Sequence, residues 1–221
     1  MNILIVLALV FAGLESLALW KKLPKLEYIA KPAVMVCLFV WLYLSTGLQG
    51  TTFWFGLGLI FSLAGDVLLM LSLDRMFIFG LIAFLLAHVS YLIGFQNELM
   101  KVTAWSVILI ALLSVSAIRI MQRIVSAIRE GGQARMAYPV IVYSTVITVM
   151  LYAAMTTISN PEWTANSSLL VGVGAFLFYL SDVILAWNKF VSPIKNGRII
   201  NIAAYHLGQI GLIAGVISQF G

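Results

Sequence analysis

Charge is the scarcest property of this chain. Only 10% of its 221 residues are Asp, Glu, Lys or Arg, against about a quarter in an ordinary soluble domain. Cysteine is nearly absent. The one copy, Cys37, lies inside an apolar run, so a disulfide framework and a CxxC redox motif are both impossible. There are 8 acids against 13 Lys and Arg, giving a net charge of +5. That excess needs no nucleic acid, because basic loops are normal where a membrane protein meets anionic lipid. Apolar side chains fill the space that charge leaves: they make up 62% of the chain, and mean hydropathy reaches +1.07. A water-soluble enzyme, a disordered tail and a nucleic-acid reader are thereby excluded.

The apolar residues fall into eight runs, at 3–20, 32–48, 52–73, 76–95, 102–127, 136–158, 168–187 and 199–220. Each approaches the ~20 residues that a spanning helix needs. The alternation of barrel strands is missing. The expected fold is therefore all-α: a polytopic bundle of eight transmembrane helices, with residues 1–221 forming one domain. The first run has no Lys or Arg before it and is followed by Lys21-Lys22, opposite to a signal peptide, so it reads as a retained helix. With the N-terminus outside, every Lys and Arg except Lys101 falls on the inside. Both termini are then expected outside, in the cytoplasmic (inner) membrane if the source is bacterial. The basic stretch 119–135 is expected to extend the fifth helix into the head-group layer.

Three acids, Glu15, Asp66 and Asp182, and both histidines, His88 and His206, lie within spans. An ionisable group at membrane depth costs about 2.5–3.5 kcal/mol on insertion scales and raises a functional hypothesis. Counted at about 1.5 Å per residue from the nearest inside charge, Asp66 lies roughly 12 Å deep, Asp182 and Tyr205 roughly 10 Å, and Glu15 roughly 9 Å. Four helices thus bring polar groups to one layer. His88 and Tyr91 share a face at i, i+3, and Asn201, Tyr205 and Gln209 form a stripe too polar for lipid. Thr145, Thr148, Tyr152 and Thr156 make a milder stripe on the sixth span. Blander readings stand beside these. A lone aspartate can simply bond a neighbouring helix, Glu15 can snorkel, and His206 suits packing better than metal ligation. The spacing of Gly211 and Gly215 marks close helix contact. His88, His206 and both aspartates include zinc-ligand types but form no dense motif, so no metal or other cofactor is expected.

Gly65-Asp66-Val67-Leu68-Leu69 is similar to Ser181-Asp182-Val183-Ile184-Leu185. Each precedes a short turn and then a helix carrying a histidine. Spans 3–4 therefore read as a parallel repeat of spans 7–8, an arrangement that places a shared site between the halves.

The ordered set Lys31-Pro32, Gly65-Asp66, the run from Phe84 to Tyr91 with His88 inside it, Ser181-Asp182, and Tyr205 with Gln209 resembles the lysoplasmalogenase, or YhhN-like, family of membrane proteins. The resemblance covers nearly the whole chain. It implies hydrolysis of the vinyl-ether bond of a lysophospholipid, giving a fatty aldehyde and a glycerophospho-base. Asp66, Asp182 and His88 would be the catalytic residues. Tyr91, Tyr205, Asn201, Gln209, Glu15, Lys31 and Arg75 would contact the substrate. A vinyl ether resists hydroxide and breaks under acid, through an oxocarbenium ion. Two carboxyls in a low-dielectric site suit this chemistry, one holding a proton near neutral pH and the other staying ionised. Which is which stays open at this stage. The competing reading is a proton-coupled transporter in which Asp66 and Asp182 carry protons.

Overall fold

The computed structural model describes residues 2–72, 75–95 and 103–221. Asp74, the charge from which the depth of Asp66 is counted, and Lys101 lie outside the described residues. Among these residues there are eight α-helices and no strand: α1 (Ile3–Lys21), α2 (Pro24–Thr46), α3 (Thr52–Leu71), α4 (Phe77–Phe95), α5 (Ala104–Glu130), α6 (Ala137–Thr156), α7 (Ala165–Phe190) and α8 (Gly197–Phe220). All eight are long and apolar enough to cross a bilayer. In hydrocarbon only a helix or a closed barrel satisfies every backbone polar group, which is why such a sequence becomes a bundle.

Local signals set the helix ends. Thr103 opens α5 with a capping box, its hydroxyl accepting from the Ser106 N–H while Ser106 accepts from the Thr103 N–H. α1 stops at Lys22 and α2 at Gly47, both in the left-handed region (φ 56° and 63°). Basic α5 runs on to Glu130 and ends at Gly131-Gly132. One boundary differs from expectation. The second helix starts at Pro24, not Pro32, because Pro24 takes the first-turn position where its missing N–H costs nothing. Pro32 is carried inside the helix at the cost of one backbone bond. Lys31 is consequently a helical residue with a fixed direction.

Consecutive helices pack as the hairpins α1–α2, α3–α4, α5–α6 and α7–α8. The α7–α8 contact is the closest. A Cβ on Gly174 would lie 2.3 Å from the Leu212 nitrogen, and one on Gly208 would lie 2.7 Å from the Phe178 nitrogen. The Gly211 and Gly215 pair faces the same helix, the small-residue packing that its spacing suggests. α8 is the most buried span and also reaches α1, α2 and α3, so its polar stripe points inward. α5 is the least buried and packs mainly on α6 and α7.

Candidate active site

Asp66 lies near the C-terminal end of α3 and is 1% exposed. Its Oδ2 accepts a hydrogen bond from the Tyr205 hydroxyl of α8 at 2.7 Å. Its Oδ1 is 3.1 Å from Lys31 Nζ of α2. Gly65 lets α4 close on α3 here, since a Cβ would lie 2.6 Å from the Phe84 ring. Three helices thus converge on one buried carboxyl, with one cation to balance it.

Asp182, on α7, collects a second set. The Tyr143 hydroxyl of α6 donates to its Oδ2 at 2.5 Å. His88 Nε2 of α4 lies 3.2 Å from the same oxygen and 2.9 Å from the Tyr143 hydroxyl. Phe178, one turn before Asp182 on α7, connects the two clusters. Fully buried, it packs on the His88 ring at 4.7 Å and on the Tyr205 ring at 5.3 Å.

A cavity of about 540 Å³ has both aspartates on its wall, together with Lys31, Phe84, Asn201 and Tyr205. Glu27, Asn188, Lys189 and Arg198, from the α1–α2 and α7–α8 ends of the bundle, also line it, and Arg198 ion-pairs with Glu27. The space is therefore polar and charged at its outer part and bounded by carboxyls and aromatic rings within. Asn201 is held by a 2.5 Å bond to the Ser181 carbonyl.

Of the other residues singled out from sequence, most lie off the cavity wall. His88 stands behind Asp182, fully buried. Tyr91 donates to Gln209 Oε1 at 2.9 Å, and Gln209 donates onward to Ser62 at 2.9 Å, a closed buried chain between α4, α8 and α3. Glu15 does not snorkel. It is fully buried and bonded to His206, tying α1 to α8. Arg75 is exposed and does not line the cavity. Lys31 faces Asp66 as an ion-pair partner. Tyr143 escaped the sequence reading, although it lies eight residues past Arg135, a depth count similar to that of Tyr205. Among the described residues no three His, Cys, Asp or Glu side chains group closely enough to hold a metal ion, and the two histidines serve separate carboxylates.

The family model for YhhN matches residues 26–216, which include every residue of both aspartate clusters. The chain belongs to the YhhN family. Among curated proteins, this YhhN chain is 26% identical over 188 residues to lysoplasmalogenase TMEM86B of Mus musculus, covering 85% of this chain and 74% of the relative. It is 28% identical over 155 residues to lysoplasmalogenase TMEM86A of Homo sapiens, covering 69% of this chain and 60% of the relative. Lysoplasmalogenase TMEM86B of Homo sapiens matches at 24% over 184 residues, covering 81% and 69%. No solved structure gives a significant match. With its eight apolar helices, this YhhN protein is an integral multi-pass membrane protein.

Proposed function

We propose that this chain hydrolyses the vinyl-ether bond of lysoplasmalogen, or of a closely related lysolipid, to a fatty aldehyde and a glycerophospho-base. The observation that carries the reading is one cavity with two aspartates on its wall, each fixed by its own tyrosine. The names of the relatives support the same chemistry.

Asp182 is the proton donor in this scheme. Four residues, Leu69, Phe84, Asp182 and Leu185, border both the polar cavity and a narrow apolar space beside it, and Asp182 is the polar one. A vinyl ether lies where a polar head group meets a hydrocarbon chain, so its β-carbon belongs at that border. The proton passes to this carbon, and the C=C electrons shift to leave an oxocarbenium ion. Asp66, paired with Lys31, supplies the opposing negative charge in a site where such charge acts strongly. Water adds to the carbon next to oxygen and gives up a proton to the Asp182 carboxylate, which restores the acid. The hemiacetal then breaks its C–O bond, the leaving glycerol oxygen taking a proton as the hemiacetal hydroxyl loses one, to release aldehyde and the glycerol hydroxyl. His88 and Tyr143 orient Asp182, and Tyr205 orients Asp66. The logic parallels glycoside hydrolysis, in which two carboxyls flank an oxocarbenium-like transition state.

Purified protein in liposomes, given lysoplasmalogen with and without a chelator, is expected to release aldehyde and glycerophospho-base one to one in both cases. Aspartate-dependent proton flux with no aldehyde would replace this reading with transport.

A further inference from the structure

The narrow apolar space beside Asp182 continues beyond the catalytic residues. It is a seam of about 50 Å³ between α4, α5, α6 and α7, walled by buried Ile124, Val140 and Ile147. At its far end it meets a groove of about 390 Å³ between α5 and α6, and Ala117, Met121 and Ser144 line both spaces. Polar cavity, Asp182, seam and groove therefore lie in series, each sharing wall residues with the next, and the series ends on the outer surface of the bundle.

Two further observations concern the outer part of this line. From Ile110 to Arg123 no residue of α5 is fully buried, so α5 packs less tightly in the middle, where the groove lies, than at its ends. The threonine stripe of α6 also borders this groove. The two threonine hydroxyls at the groove are already engaged: Thr145 donates to the Ile141 carbonyl at 2.9 Å and Thr148 to the Ser144 carbonyl at 2.6 Å. Donors spent on the helix's own backbone leave a surface suited to hydrocarbon.

We infer that this line is the binding site of a single linear hydrocarbon chain, which threads from Asp182 through the seam and leaves the bundle between α5 and α6. The inference rests on the hydrolase reading for the position of the head group, in the polar cavity. A chain enters by outward displacement of the middle of α5, whose packing on the core there is carried by the partly buried Leu113, Ile120 and Met121. A seam of about 50 Å³ leaves no room for a second chain, so a lipid with two chains is rejected, and selection for lysolipids follows from shape. The long-chain aldehyde leaves by the same path.

The test uses a saturated-ether lysophospholipid, which cannot be cleaved, with a diazirine in mid-chain. In liposomes, irradiation is expected to label the buried seam residues Ile124, Val140 or Ile147, which bulk lipid does not reach. Ala117→Trp, or Ser144→Phe should the first variant fail to insert, is expected to remove that label. For cleavable substrates the same variants should raise KM roughly tenfold or more for a hexadecenyl chain relative to an octenyl chain, in line with the selectivity of hydrophobic pockets for chain length. Ser116→Trp, on an exposed position of α5, should change neither readout. Label on the seam without any aldehyde from wild type would keep the chain path and remove the hydrolase reading. Label confined to exposed residues, label on the α3–α4 groove at Phe61 and Phe79, or an equal effect of Ala117→Trp on both chain lengths would overturn the path.

Discussion

His88, on α4, bonds to the aspartate of the other hairpin: its Nε2 lies 3.2 Å from Asp182 Oδ2 on α7, while Asp66, on the helix paired with its own, takes Tyr205 from α8. Each hairpin thus supplies one carboxyl and the aromatic or imidazole partner of the other carboxyl. The crossing makes the two clusters depend on each other, since neither can be assembled from one hairpin alone.

Tyr143 and His88 touch the same oxygen of Asp182 and each other. Tyr143→Phe keeps the ring and removes the donor, so the carboxyl loses orientation rather than identity. We expect kcat to fall by about 100-fold, the order of loss seen for misplaced catalytic groups, with little change in KM. His88→Gln should behave similarly, and the double variant should fall well short of the product of the two losses. Full additivity would mean that the two residues do not act through one carboxyl.

Lys31 is 8% exposed and meets a carboxyl that is 1% exposed. Removing one member of such a pair leaves a buried charge unopposed, which costs about 3–5 kcal/mol. Lys31→Met should therefore lower Tm, and adding Asp66→Asn should restore Tm without restoring turnover. A Lys31→Met protein with wild-type Tm and a raised KM would instead make Lys31 a head-group contact.

The parts of this molecule differ in how far the sequence alone discloses them. The eight helices were legible because a spanning segment must be a long apolar run. The start of α2 was not, since Lys25, Glu27 and Lys31 give its first two turns the composition of a loop. Counting depth from the inside charges already put Asp66 and Asp182 at one level, and the structure gives them a common cavity. Tyr143 stayed hidden because it is one of three tyrosines on α6 and carries no charge signal. Its partner is 39 residues away, so only the fold reveals its use. Glu15 and His206 are 191 residues apart, and no local pattern announces that α1 lies against α8.

Neither member of the buried Glu15–His206 contact lines the cavity, and a structural role is expected for it. Glu15→Leu alone should destabilise the protein by about 3–5 kcal/mol, because His206 then loses its partner in a dry site. Glu15→Leu with His206→Leu should recover most of that loss and keep turnover. A stable double variant without turnover would bring the pair into the chemistry.

Sidedness is accessible to reporter fusions. A fusion after Gly221 should read extracytoplasmic, and insertions after Lys25 or Arg129 should read cytoplasmic, as expected from the distribution of Lys and Arg. The reverse pattern would place the polar cavity in the outer leaflet and change which lipids can reach it.

The most direct test replaces each aspartate by an amide of the same size. Asp66→Asn and Asp182→Asn should each still insert, Asp66→Asn with a lowered Tm because Lys31 loses its partner, and release no aldehyde from lysoplasmalogen, and the double variant should turn over hardly worse than either, because effects within one catalytic unit are not additive. Wild-type turnover should be slower in D₂O, since proton transfer to carbon is the hard step. Wild-type aldehyde release from either single variant would contradict the two-carboxyl mechanism and leave that aspartate as a link between helices.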